Sequence, residues 1–187
     1  VTTALVMNNG SRIDFEWKNT ELNRKPDTIE FFVKPSEQSN FRIISGSGWN
    51  LEVTSSVTSS YGKVVFNYSG SNCISSSLLP IFNGKFFGVE LSRTSGAAEH
   101  IFALNLRQAD KERTIFETNV STSVATGSFY WDSGSLISLG NNFVGSVDEF
   151  RLWSTPLDKE RFYEHVSFPE MINGNHISSS TDDLFFR

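Results

Sequence analysis

The sequence holds a single cysteine, Cys73, in 187 residues. No intramolecular disulfide can form, so an oxidising compartment is neither required nor excluded. Charge of one sign is also short. The chain carries 16 Lys and Arg against 21 Asp and Glu, a net −5, and like charges adjoin only in pairs. That excludes the basic stripe a nucleic-acid binder needs. No apolar run approaches the length of a membrane span, which argues against insertion by a helix. Histidine is scarce: His100, His165 and His176 have no ligand spacing, and Cys73 has no partner nearby in sequence. A zinc cluster of the usual kind is therefore not encoded. No G-x-S-x-G elbow is present either.

What is present is apolar alternation between polar turns. Hydrophobic residues make up 38% of the chain and aromatics 13%, with 17 Phe, ample material for the core of one domain. Ile13, Phe15 and Trp17 alternate with Asp14 and Glu16, and Ile29, Phe31 and Val33 alternate up to Pro35. Phe41–Ser45, Trp49–Thr54 and Lys63–Tyr68 read as short strands between Gly/Ser turns. Lys85–Arg93, Ile101–Arg107, Thr114–Thr118 and Leu136–Leu139 are further short strands, and Ser71–Pro80 reads as a Ser-rich loop. Short strands at this spacing, with no long helical pattern, predict an all-β fold: a two-sheet antiparallel β-sandwich.

The segment Asn142–His165, NFVGSVDEFRLWSTPLDKERFYEH, organises the rest. Val147 and Leu152 are apolar between polar neighbours, and the slip at Asp148–Glu149 predicts a β-bulge. Ser-Thr-Pro then ends the strand. Asp158 is placed as an N-cap, and Leu157 and Phe162 as a hydrophobic staple, of one short helix through about His165. The pattern F-x-G-x-x-D-E-x-R-x-W-x-x-x-L (Phe143, Gly145, Asp148, Glu149, Arg151, Trp153, Leu157) resembles the closing segment of concanavalin A-like domains of the laminin-G and pentraxin type. Thr28–Pro35 and Asn83–Thr94 resemble the early and central strands of that family. Its usual Trp-His pair is Phe86-Phe87-Gly88 here.

The resemblance implies a jelly-roll sandwich over residues 1–166 and leaves 167–187 as a linker or tail toward a further domain. It carries no single function, because this fold serves lectins, adhesion modules, enzymes and spacers. Some relatives hold calcium at a sandwich edge through Asp, Asn and backbone oxygens. Asn141, Asn142 and Asp132 are of that type, but no D-x-D-x-D loop exists. Calcium thus remains an option of the resemblance, and neither cofactor nor metal ligand is assigned.

Two carboxylates two residues apart on a strand, Asp14 and Glu16, have a separation near that of glycosidase pairs. The third acid of concanavalin-like glucanases is missing, so catalysis is not expected. The loop Thr126–Gly134, TGSFYWDSG, sets three aromatics in a row. Successive side chains alternate sides, so not all three can enter one core. Tyr130, Trp131 and Asp132 are therefore the candidate glycan-binding residues. Phe31-Phe32, Phe86-Phe87 and Phe185-Phe186 each place one ring outward by the same rule. That makes Phe32, Phe87, Phe185 and Phe186 a candidate partner surface, with Leu184–Phe186 as its own cover.

Ser and Thr together supply 41 of the 187 residues, a polar uncharged surface common on extracellular and viral adhesive proteins. The tail Asn175–Arg187 resembles the segment that comes after such modules in structural proteins of tailed bacteriophages. The expectation is a non-catalytic, lectin-like module of a larger virion or cell-surface protein. It would sit outside the cell and bind surface glycans, neighbouring virion subunits, or both. A purely structural subunit-interaction domain and a glycoside hydrolase are the alternatives.

Overall fold

The computed structural model describes residues 4–17, 25–110, 113–125, 131, 134–175 and 184–186, with side chains 71–73, 185 and 186 left aside. Thirteen strands and one helix are assigned among them. One sheet is ordered β1 (Leu5–Met7), β12 (Gly145–Trp153), β3 (Thr28–Pro35), β8 (Phe87–Ser95), β9 (Glu99–Asp110), β10 (Arg113–Ala125). The other is ordered β2 (Ile13–Glu16), β11 (Leu136–Asn141), β4 (Phe41–Gly46), β5 (Trp49–Ser55), β6 (Gly62–Tyr68), β7 (Ser71–Ser75). All pairings are antiparallel. This is the two-sheet jelly roll of concanavalin A-like proteins.

The inward residues of both sheets form one core. Ile29, Phe31 and Val33 of β3 meet Phe66 of β6, Phe102 and Leu104 of β9, and Leu139 of β11, all essentially without exposure. Phe143, Val147 and Leu152 complete it from the closing segment. The bulge lies where the slip in the sequence predicts it. The β12–β3 register shifts between Asp148 and Arg151, Glu149 has φ +49°, and Asp148 Oδ1 accepts from Glu149 N at 2.9 Å.

Two strands depart from the sequence reading. Ser71–Ser75 is strand β7 rather than loop; it is an edge strand in which Ile74 packs into the core, and its Ser-rich composition resembles a loop. Strand β10 runs 13 residues, well past the expected Thr118, because it alternates inward Val with outward Ser and Asn.

Helix α1 (Lys159–Ser167) lies across the outer face of the β3–β8–β9 region. Leu157 and Phe162 share the apolar cluster beneath it, as a staple requires. Asp158 occupies the N-cap, but its side chain makes no capping bond; its backbone oxygen accepts from Arg161 and Phe162 N instead. Gly88 permits the close seat, since a Cβ there would stand 2.5 Å from Val166 Cγ2. The end of the chain returns to the same sheet: β13 (Leu184–Phe186) pairs with β12 beside β1, and Leu184 packs on the cluster under α1.

Candidate functional site

A sandwich offers two outer faces, and here each carries a polar row in cross-strand register. On the first sheet the row is Arg151, Glu30, Glu90, Asn105 and Asn119. Its first four members are closed: Glu30, Glu90 and Arg151 have no exposure and lie beneath α1, and Asn105 is 2% exposed, while Asn119 at the β10 end is exposed. Glu30 Oε1 meets Arg151 Nη1 at 3.3 Å and His165 Nδ1 at 2.8 Å, while its Oε2 accepts from Trp153 Nε1 at 3.0 Å. Arg151 also donates to Glu149 Oε2 and to the Pro169 carbonyl. His165 Nε2 faces the Asn173 carbonyl at 2.9 Å. The network fastens α1 and the segment after it to the sheet. Nothing from solvent reaches it, so it is architecture.

Glu90 is the exception within that row: no cation or well-formed hydrogen bond meets either carboxylate oxygen, and Ser92 and Asn105 make only weak polar contact with it. Burial pushes its carboxyl well above the usual carboxylate range and the nearby Glu30 charge adds to this, while Ser92 and Asn105 offset only part. A raised folded-state pKa means that the folded protein binds this proton more tightly than the unfolded chain. Stability from this group is full below the ordinary value of 4.5 and is lost as pH rises toward the folded value. Glu90→Gln should therefore stabilise the protein at pH 7 by about 1–3 kcal/mol, the scale of an unmet buried polar group, with the gain fading near pH 4. Urea denaturation at the two pH values reads it. A variant no more stable than the parent at pH 7 would contradict the account.

The outer face of the second sheet has no helix over it: along its central row Asp14 is exposed, Ser138, Ser45 and Asn50 are half-buried, and Asn67 at the far end is buried. Its central row is Asp14, Ser138, Ser45, Asn50 and Asn67, one residue from each of β2, β11, β4, β5 and β6. Five strands place its ends about 19 Å apart at about 4.8 Å per strand. Within the row, Ser138 Oγ donates to Asp14 Oδ1 at 2.6 Å and Asn67 Nδ2 to Asn50 Oδ1 at 3.0 Å. The neighbouring row is Asn141, Arg42, Glu52, Val65 and Ser75. Two shallow depressions flank Arg42. One, of about 260 Å³, is lined by Arg42, Glu52, Thr54, Asn141 and Asn142 among others. The other, of about 380 Å³, is lined by Arg42, Ser45, Trp49 and Asn50 with the turn glycines Gly46, Gly48 and Gly70. The face is a field of short hydroxyls and amides with one guanidinium between two hollows. It can exchange hydrogen bonds with a polyhydroxylated ligand at little conformational cost.

The candidates from the sequence fall elsewhere. Tyr130 and Asp132 lie outside the described residues. Trp131 is not a surface platform: it is fully buried, stacked on Trp49 at 4.8 Å and edge-on to Trp17 at 5.2 Å. Its Nε1 donates to the Pro26 carbonyl, and its own carbonyl accepts from Trp17 Nε1 at 2.6 Å. It plugs the end of the sandwich. Trp49 is core as well, its indole lying where a Cβ of Gly46 would be, whereas Tyr61 is exposed at 39%.

Of the candidate partner surface, Phe32 and Phe87 are enclosed. Phe32 is 6% exposed and packs under α1 with Trp153 and Phe162. Phe87 points the other way, into the core, because it pairs with Val33; Phe86 is the outward ring of that pair and carries Lys34 Nζ over its face. The backbone of Phe185 and Phe186 belongs to β13, and their side chains lie outside the description.

Asp14 and Glu16 do share the open face. Asp14 is engaged by Arg12 through both oxygens and by Ser138, and these bonds hold its carboxyl below the usual range. That is the wrong direction for a general acid, which needs a raised pKa. Among the described residues no group of three His, Cys, Asp or Glu could hold a metal ion. The open face was missed because its residues come from positions 14 to 138 and only strand pairing aligns them. The acids of the closed row left a signal: Glu30 in TIEFFVKP and Glu90 in FGVELSRTS are the single acids of strands otherwise rich in apolar residues.

No protein-family model matches the sequence, and no curated protein matches it. Solved structures do. A native heptameric SAP-like pentraxin from Limulus polyphemus superposes with a TM-score of 0.50 at 13% identity, over 82% of this chain and 81% of that one. The lectin UEA-II, complexed with galactose, gives a TM-score of 0.42 at 7% identity, over 79% and 83%. At 13% identity the likeness to the pentraxin shows the fold alone.

Proposed function

We propose that the chain is a non-catalytic, lectin-like module whose glycan-binding surface is the open outer face of the six-stranded sheet. The observation that carries this reading is the polar row Asp14–Ser138–Ser45–Asn50–Asn67, flanked by the two hollows at Arg42. Sugars offer hydroxyls that both donate and accept. Serine hydroxyls and asparagine amides do the same, and a strand spacing is close to the length of one hexopyranose unit. The opposite face is sealed by α1 and has no such role. In this reading the module belongs to a larger surface or virion protein outside the cell, which the abundance of Ser and Thr supports.

A glycan array tests the proposal. The chain should bind a subset of extended glycans, and Asn50→Ala combined with Asn67→Ala should weaken them about tenfold or more, the loss of two or more net hydrogen bonds. An array without a hit would leave the second reading, a subunit-contact domain. That reading is favoured by strand β10, 13 residues long, which among the described strands stands at the edge of its sheet with β9 as its partner and so offers an edge to another chain. Concentration-dependent dimers in sedimentation would support it.

Hydrolysis is not expected. Polysaccharide incubated with the chain should release no reducing ends. Turnover that disappears in Glu16→Gln would overturn the non-catalytic assignment.

A further inference from the structure

Arg42 stands between the two hollows, half-buried, and its Nε is enclosed without an acceptor. Glu52 pairs with it across the β4–β5 ladder, yet no ion pair joins them, and no other carboxylate of the described residues lies within ion-pair distance of the guanidinium. The two buried arginines are matched by carboxylates, Arg93 to Asp27 at 2.7 Å and Arg151 to Glu30 and Glu149, while Arg107, half-buried like Arg42 and also with an enclosed Nε, lies over the Tyr163 ring and donates to Thr114 rather than lining a hollow. A guanidinium drawn partly out of water without an acceptor is costly unless a ligand supplies one.

The two hollows differ in charge. The smaller holds Glu52 with Asn141 and Asn142. The larger has Arg42 as its single charged residue, with Ser45 and Asn50 beside it and the Gly48 and Gly70 turns leaving its rim without side chains. Trp49, in its wall, also has a buried Nε1 with no acceptor. Donors outnumber acceptors here, and no carboxylate opposes an incoming anion.

Resting on the glycan reading, we infer that the larger hollow is the subsite for an acidic substituent, a carboxylate or sulfate, of an acidic glycan. The planar fork of Arg42 takes two oxygens of that group, Ser45 and Asn50 donate to its remaining oxygens, and the neutral polyol continues along the row and into the hollow beside Glu52. Arginine is suited to this because its fork matches such groups in two-point contact.

The test is an array that carries each glycan in matched neutral, carboxylated and sulfated forms, probed with the full chain at low and high salt. One or both acidic forms should bind about tenfold or more above the neutral form, as a charge-assisted bidentate contact allows. That preference should fall with salt. Arg42→Gln should bring the acidic-to-neutral ratio close to one, and Arg42→Lys should leave part of it. Ser45→Glu, which places a carboxylate in the hollow, should reverse it and carries the test if Arg42→Gln does not fold by circular dichroism. Neutral forms binding as well as acidic ones, or a preference that survives Arg42→Gln, would overturn the inference and leave the glycan reading standing. An array without any hit would remove both.

Discussion

Trp131→Ala is expected to cost about 3–5 kcal/mol of folding stability, the usual penalty for emptying a large aromatic site. The ring is enclosed by Trp49, Trp17 and Phe102, with centroids 4.8, 5.2 and 5.4 Å away. Removing it opens a cavity at the end of the sandwich and strands the Pro26 carbonyl, which accepts the indole N–H at 2.8 Å. The surrounding rings come from β5, β9 and the residue after β2, so they cannot collapse together without moving both sheets. Trp131→Phe should cost less, about 1–2 kcal/mol, mostly for the lost hydrogen bond. Equilibrium denaturation in urea measures both. A sugar platform would behave oppositely: Trp131→Ala would change stability by about 0.5 kcal/mol or less, as surface substitutions do, and would abolish binding.

Arg151→Met should be comparably damaging, about 3–5 kcal/mol, because it leaves the Glu30 and Glu149 carboxylates facing each other's field with one cation fewer in a site closed to water. The loss should be visible first in α1. Arg151 Nη2 donates to the Pro169 carbonyl just after the helix, and Glu30 holds His165 of the helix itself. Amide exchange in Lys159–Ser167 should therefore quicken more than in β5 or β6. Adding Glu30→Gln to Arg151→Met should recover part of the stability, since it removes one of the unmet charges. A single variant within about 1 kcal/mol of the parent would mean that the helix is held by its apolar face alone.

Much of the fold was legible because alternation is a direct signature of a half-buried strand. Phe102, Leu104 and Leu106 enter the core as their spacing requires. The break in alternation at Asp148–Glu149 marks a real bulge, and the Leu157–Phe162 pair marks the start of α1. Strand β7 was hidden because an edge strand can be written in Ser and Asn with little apolar alternation; its Ile74 enters the core. Trp131 lies in the core, which a row of three adjacent aromatics does not specify. Phe87 was assigned outward because alternation fixes that two neighbours differ, not which of them faces the core; its pairing with Val33 decides that.

Neither polar row could be read from the sequence. Each is a straight line across five strands whose members share no local motif, and the register that aligns them belongs to the folded sheet. The closed row announces itself through acids in apolar strands. The open row does not, because Ser45, Asn50 and Ser138 are ordinary solvent-face residues until they stand side by side.

The central claim is that the open face of the six-stranded sheet is the ligand surface. The direct measurement is a backbone-amide NMR titration of the full chain with the glycan that binds best on the array. The account predicts that the shifts concentrate on Arg42, Ser45, Asn50, Glu52, Asn67 and Ser138, with α1 and β10 unmoved. Shifts confined to α1, to β10 or to the loop around Trp131, with the row silent, would contradict it.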